Sequence, residues 1–343
     1  MVEVIDVFIV GAGPAGIHAA CAAQDLGLTY RVLDRRGIAH SFVEYPQALR
    51  FFSPPDEMEV GGVPFPMRGG EKPSREDILP YFRAVAAYRK LNLSLWERIE
   101  SIRKHDGVFI VTCVAEHEPL NTRVYHTRTI ALASGVWDVP NRLDCEGADL
   151  PHVNYRFNEP TEYFGCPTLV VGGGNSAVHA ALTLAEAHAS VVLAMRREPV
   201  AHQSHLRPFV VRDLQFAVEA GHVLLHAGVR VRRIEPGTAW LQPIRYDMDC
   251  PGGSEATGEP YGVDARFVFA MIGQRSDELV FQQLGLTVES DGRPVRDPDT
   301  YETEVGGVYV MGSLAGQKID IIITSREQAA GVIHRIAARV SGS

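Results

Sequence analysis

The sequence predicts an α/β chain of two Rossmann-like dinucleotide-binding domains, the second inserted into the first. Three observations predict it. "DVFIVGAGPAGIHAACAAQDLG" near the start reads as a buried strand, a glycine turn and an Ala-rich helix. "PTLVVGGGNSAVHAALTLAEAH" repeats that pattern from Pro167, roughly 160 residues later. Each copy runs on into a second apolar strand, "YRVLDRR" in one and "SVVLAMRR" in the other, which completes a βαβ unit.

The elements between fit this plan. "REDILPYFRAVAAYRKL", Arg75 to Leu91, has apolar residues at helical spacing, and Ser94 to Val114 reads as strand and hairpin. "TIALASG", Thr129 to Gly135, is an apolar strand ending in a small-residue turn, and "VWDVPNRLDCEGADLP" has the character of a crossing linker. A Gly-rich loop around "DCPGGSEATGEPYG" precedes another such strand, "FVFAMIG", Phe267 to Gly273. The chain closes with "GGVYVMGSLAG" and an amphipathic helix, "SREQAAGVIHRIAARV". The expected division is a discontinuous first domain of residues 1–150 plus 266–343 and an inserted domain of 151–265.

In the first turn Gly11 permits the tight bend and Gly13 admits a pyrophosphate to the backbone. Gly16 lets the helix pack on the strand, with Pro14 and Ala15 opening the helix so that its amides face the anion. Asp34 ends the second strand where an acid is needed to hold a ribose diol, and Arg35 follows it. Strand, helix and acid in register make this a dinucleotide site rather than a structural loop, and FAD is the expected occupant. Gly135 and the turn Gly312-Ser313 are expected to complete it.

The second turn has Gly172 and Gly174, then Asn175, Ser176 and Ala177, with alanine in the third glycine position. Its second strand ends in Met195, Arg196 and Arg197, without an acid. A carboxylate there would repel a ribose 2′-phosphate, whereas an arginine pair binds it by charge-assisted forks, so NADPH is the expected occupant. His202, His205 and Arg207 extend the basic stretch and receive no role, since loop histidines are ordinarily just exposed.

Bulk properties bound the rest. Hydrophobic residues at 45% and charged residues at 22% suit a globular chain, and a formal net charge of −9 argues against nucleic acid or an anionic membrane as partner. No apolar run is long enough for a bilayer and no signal peptide opens the chain, so a cytoplasmic enzyme is expected. Cys21, Cys113, Cys145, Cys166 and Cys250 form no C-x-x-C, hence neither a zinc knuckle nor a local redox pair. No metal site is expected. Homo-oligomers are common for this layout, but no surface stripe identifies an interface.

Several stretches outside the glycine turns carry a resemblance. "LRFFSPPDEMEVGGVPFP", "EKPSREDILPYFRAV", "ASGVWDVPNRLDCEGADLPHV" and "VVGGGNSAVHAAL" resemble, in order, the bacillithiol disulfide reductase family of two-dinucleotide-binding flavoproteins, within the thioredoxin reductase-like superfamily. The resemblance covers essentially the whole chain. It implies that NADPH passes a hydride to FAD and that the reduced flavin reduces a low-molecular-weight disulfide such as bacillithiol disulfide. It also implies a cysteine in the first turn, where this chain has Ala15, which can form neither thiolate nor mixed disulfide. Gly312-Ser313 likewise departs from a Gly-Asp turn common in the wider superfamily, and Lys318 and Asp320 follow it with no assigned role.

Ala15 leaves alternatives open. An NADPH reductase for ferredoxin, flavodoxin or a quinone needs no cysteine. A flavin monooxygenase shares both turns, but "PHVNYRFNEPTEYFG" lacks the spacing of its inter-domain signature. A thioredoxin reductase is disfavoured by the missing C-x-x-C, and a non-catalytic flavin sensor by the arginine pair. No catalytic side chain is assigned.

Overall fold

In the computed structural model the described residues are 3–46, 49–51, 53–67, 71–197, 206–246, 254–316 and 321–342. They form two compact units, residues 1–139 with 275–343 and residues 140–274.

The first unit contains β1 (Val4–Val10), α1 (Pro14–Asp25), β2 (Tyr30–Asp34), α2 (His40–Val43), α3 (Arg75–Arg89), β3 (Leu93–Leu95), β4 (Glu97–His105), β5 (Val108–Ala115) and β6 (Glu118–Leu132). The second contains β8 (Val153–Asn154), β9 (Pro167–Val171), α4 (Asn175–Glu186), β10 (Ser190–Ala194), α5 (Pro208–Glu219), β11 (Val223–His226), β12 (Val229–Glu235), β13 (Gly237–Arg245), β14 (Glu255–Ala256), β15 (Tyr261–Ala265) and β16 (Phe267–Ala270). The crossings are marked by β7 (Val139–Pro140) and β17 (Gln274–Arg275), after which α6 (Leu279–Leu284), β18 (Val308–Val310) and α7 (Ile321–Ser341) finish the first unit.

The parallel sheet of the first unit runs β3-β2-β1-β6-β18, and the long β6 extends beyond it into an antiparallel meander with β5 and β4. That of the second runs β11-β10-β9-β16-β8. The two thus share the order of their first four strands, the structural form of the sequence repeat. Both faces of each sheet are covered, as a parallel sheet requires. On β1, Val7 and Ile9 enter one core with α1 and α7, while Phe8 and Val10 enter the other. On β10, Val191 and Leu193 face one core and Val192 and Ala194 the opposite one.

The crossings differ from the expected boundaries at 150 and 266. Asp138 N donates to the Arg275 carbonyl in the first unit, and Asn141 N to the Gly273 carbonyl in the second. Phe267–Ala270 pairs with β9 and β8, so this strand is part of the second sheet and the chain returns only after it. Periodicity identified the strand but not its neighbour.

The expected helix from Arg75 is α3, started by a reciprocal cap: Ser74 Oγ accepts from Asp77 N at 3.2 Å and Ser74 N donates to Asp77 Oδ2 at 2.8 Å. Lys90, at φ +50°, ends it.

Helix α1 packs on α7, and polar side chains are buried on both, His18 on α1 and Ser325 and Gln328 on α7. His18 is 4% exposed and its Nε2 has no hydrogen-bond partner. Burial, assisted by the Arg326 charge, holds its imidazole down at about 3 from an ordinary value of 6.5. The folded protein therefore excludes a proton that the unfolded chain accepts. His18 leaves stability untouched above pH 6.5 and removes it progressively between about 6.5 and 3. Denaturant unfolding followed across this range is expected to lose roughly one proton's worth of pH dependence in His18→Leu. Superimposable pH profiles for wild type and variant would contradict it.

Candidate dinucleotide sites

The first turn is shaped by backbone contact. Gly11 has φ +112°, and a Cβ there would lie 2.5 Å from the Ala133 carbonyl oxygen. A Cβ on Gly16 would stand 1.8 Å from the Gly11 carbonyl oxygen, so the helix approaches the strand as only glycine permits. Gly13 caps α1 without a side-chain bond, and no acidic residue occupies the first helical turn. The leading amides of α1 therefore stay available to an anion.

Asp34 closes β2 beside them. Its Oδ2 accepts from Ala12 N at 2.7 Å and its Oδ1 from Arg36 N at 2.8 Å. Burial pushes the carboxyl above its usual range, opposed by these two backbone donors and the Arg35 charge. Ala39 N donates to the Ala12 carbonyl at 2.9 Å, which pins the segment after β2 to the turn.

A groove opens over this turn. Of the residues expected in the first site, Gly11, Gly13, Pro14, Ala15, Asp34, Arg35, Gly135, Gly312 and Ser313 line it, while Gly16 lies beneath as packing. Arg35 lines the groove with its guanidinium already held, by Asp138 and, at 3.0 Å, by Asp277. It fastens both chain crossings to the end of β2, a role the sequence reading had not given it. Ser276 Oγ adds a 2.8 Å bond to the Gly135 carbonyl.

Ala15 is 5% exposed, and a Cβ on Gly312 (φ +68°) would come within 2.8 Å of its methyl. The start of α1 and the Gly312-Ser313 turn are thus in close contact. The Ser313 hydroxyl lies near Gly135, where a Cβ would be 3.5 Å from Oγ.

Sequence reasoning missed the groove's far walls. Arg98 and Ile99 of β4 form part of one. Tyr45 and Trp137, with ring centroids 5.2 Å apart, form part of another. Neither pair belongs to a local motif; an aromatic within the crossing linker was the available signal for Trp137.

No described cysteine lines the groove. Cys21 is 2% exposed, against Gly61, and burial raises its thiol to about 11. Cys113 is buried likewise, its thiol raised to about 12. Both are protonated structural thiols. Cys145 and Cys166 lie in the second unit. Cys250 falls outside the described residues, as do His202, His205, Lys318 and Asp320.

The second turn repeats the geometry with one difference. Gly172 has φ +144°, and a Cβ there would sit 2.3 Å from the Met271 carbonyl oxygen. Gly174 caps α4 without a side-chain bond, as Gly13 does for α1. Ala177 is fully buried, so here the helix stands off far enough to admit a methyl group. Ser176 is exposed at the helix start, and Asn175 Oδ1 accepts from Arg207 N at 3.1 Å, tying the start of α5 to the turn. Met195 is buried at the end of β10, Arg196 is exposed and Arg197 half-buried. No described carboxylate pairs with either guanidinium. Arg197 Nη2 donates instead to the Tyr246 hydroxyl at 2.6 Å.

Two βαβ units with open helix starts, one ending in an acid and the other in two arginines, define a flavin oxidoreductase that draws on NADPH. The chain belongs to the pyridine nucleotide-disulphide oxidoreductase family, whose model matches residues 8–312. It is 28% identical over 309 residues to the bacilliredoxin reductase Bdr of Bacillus subtilis, covering 90% of this chain and 89% of the relative. The structure of bacillithiol disulfide reductase Bdr from Bacillus cereus is similar with a TM-score of 0.87 and 27% identity, covering 98% of this chain and 100% of that one. A ferredoxin–NADP reductase of Rickettsia felis is 23% identical over 346 residues, 99% of this chain and 94% of the relative. Among the described residues no helix is long and apolar enough to cross a membrane.

The Gly16–Gly11 contact gives a direct test. Gly16→Ala is expected to destabilise the first unit by roughly 3 kcal/mol or more, because both obstructing atoms are backbone. The urea midpoint should fall and the purified protein should lose its flavin. An unchanged midpoint with full flavin content would contradict this geometry.

Proposed function

We propose that this chain is an FAD-dependent NADPH oxidoreductase that reduces a low-molecular-weight disulfide, bacillithiol disulfide or a close relative. The observation that carries this reading is the likeness to bacillithiol disulfide reductase along 98% of the chain. Balance requires that NADPH, one proton and the disulfide give NADP⁺ and two thiols.

When bound, the two cofactors supply the hydride and electron transfer; the protein supplies orientation and electrostatics. In the first unit Asp34 is suited to the adenosine ribose, and the amide N–H groups of Gly13 and Ala15 to the pyrophosphate, with Pro14, which has no N–H, opening the helix between them. Gly135, Gly312 and Ser313 line the groove beside them, where the serine hydroxyl replaces the carboxylate of a Gly-Asp turn. In the second unit the turn from Gly172 through Asn175, Ser176 and Ala177 takes the NADPH pyrophosphate, and Arg196 with Arg197 the 2′-phosphate. Reduced thiols as products suit the cytoplasm, where thiols persist.

Ala15 favours a second reading, because no described thiol lies in the groove to form a mixed disulfide. An acceptor that takes electrons directly from the flavin, such as ferredoxin, flavodoxin or a quinone, needs no such thiol. The ferredoxin–NADP reductases among the relatives support it at lower identity.

The acceptor is tested by photoreducing the flavoprotein anaerobically and mixing it with bacillithiol disulfide, following flavin absorbance and free thiol. Reoxidation with two thiols released per flavin is expected. Persistence of reduced flavin with the disulfide, but prompt reoxidation by ferredoxin or a quinone, would replace the first reading with the second.

A further inference from the structure

The arginine pair at the end of β10 does not stand alone. Tyr246 follows the last residue of β13, far from Arg196 and Arg197 in sequence, yet its ring serves both. The Arg197 guanidinium carbon lies 4.4 Å from the ring centroid and that of Arg196 5.6 Å. Arg197 also donates to the Tyr246 hydroxyl at 2.6 Å. One aromatic ring therefore gathers two cations that Coulomb repulsion would otherwise separate, with no described carboxylate paired to either. A stacked guanidinium keeps its edge free for a planar fork. The hydroxyl, having accepted from Arg197, retains its own proton to donate. Two adjacent cations and a spare O–H donor are complementary to a dianionic phosphate monoester.

We propose that Tyr246 is the positioning residue that sets discrimination between NADPH and NADH, by holding Arg197, and through the shared ring Arg196, toward the ribose 2′-phosphate. This rests on the reading that the second turn takes NADPH. Its physical logic is preorganisation. Both long side chains are confined before the ligand arrives, so less rotamer freedom is lost on binding.

The test uses the flavin-loaded full-length protein with two probes, 2′,5′-ADP and 5′-ADP, which differ by the phosphate in question. Titration calorimetry is run on wild type, Tyr246→Phe and Tyr246→Ala, alongside the KM and kcat for flavin reduction by NADPH and NADH. Wild type is expected to prefer 2′,5′-ADP. Tyr246→Phe, which keeps the ring and loses the hydroxyl, should weaken 2′,5′-ADP about tenfold, as expected for a hydrogen bond to a charged group. Tyr246→Ala should weaken it several-fold further through loss of the cation–π face. Binding of 5′-ADP and the kcat with NADPH should stay within about twofold in both variants, since neither involves the 2′-phosphate. Equal affinity of wild type for the two probes would overturn the NADPH reading itself. A wild-type preference retained in full by Tyr246→Phe would overturn the role of Tyr246 and leave that reading standing. An equal loss for both probes would also overturn it, by showing a merely structural residue.

Discussion

The first site depends on one contact that a single methyl group would abolish: the approach of α1 to the end of β1 at Gly16 and the Gly11 carbonyl. That approach brings the open helix start over the sheet edge, places Ala12 N within reach of Asp34, and seats Ala15 against Gly312. The glycine turn, Asp34 and the Gly312-Ser313 turn are consequently one packed body. Buried carboxylates are unfavourable unless bonded, and Asp34 accepts two backbone donors in compensation. These two donors offset the burial that would otherwise disfavour an acid at this position.

The second unit shows how the plan is retuned without altering topology. Its first four sheet strands take the same order, and its helix start is equally uncapped. Ala177 needs a slightly wider helix-to-strand gap than Gly16, and the strand end presents arginines in place of Asp34. In the proposed reading one architecture distinguishes two dinucleotides by the charge beyond its second strand, where NADPH carries a ribose 2′-phosphate and FAD a free hydroxyl. The arginines are held on Tyr246 in the second unit, while Arg35 is neutralised by two aspartates in the first. Arginine at a strand end is thus stacked on an aromatic ring in one setting and clamped between carboxylates in the other.

This contrast marks what was legible in the sequence. The positions of the glycine turns, of Asp34 and of the arginine pair on their βαβ units were readable because each lies at a fixed spacing along its own backbone. Their strands and helices followed from the same local patterns. The chain's returning strand at Phe267 was recognisable as a strand, but its sheet is decided by pairing with Pro167–Val171, a contact about a hundred residues away in sequence. Arg35 with Asp138 and Asp277, Tyr45 with Trp137, and Arg197 with Tyr246 were illegible for the same reason. Each joins residues that only the folded topology makes neighbours.

The protein supplies binding, alignment and charge, and the electron chemistry belongs to the two cofactors. In the proposed function NADPH, selected in the second unit, reduces flavin held in the first. The direct measurement is anaerobic stopped-flow absorbance of the flavin after mixing the holoprotein with NADPH or NADH at equal concentration. Rapid, stoichiometric bleaching by NADPH with far slower bleaching by NADH is the predicted result. Equal rates with the two nucleotides, or no bleaching by NADPH, would contradict the claim.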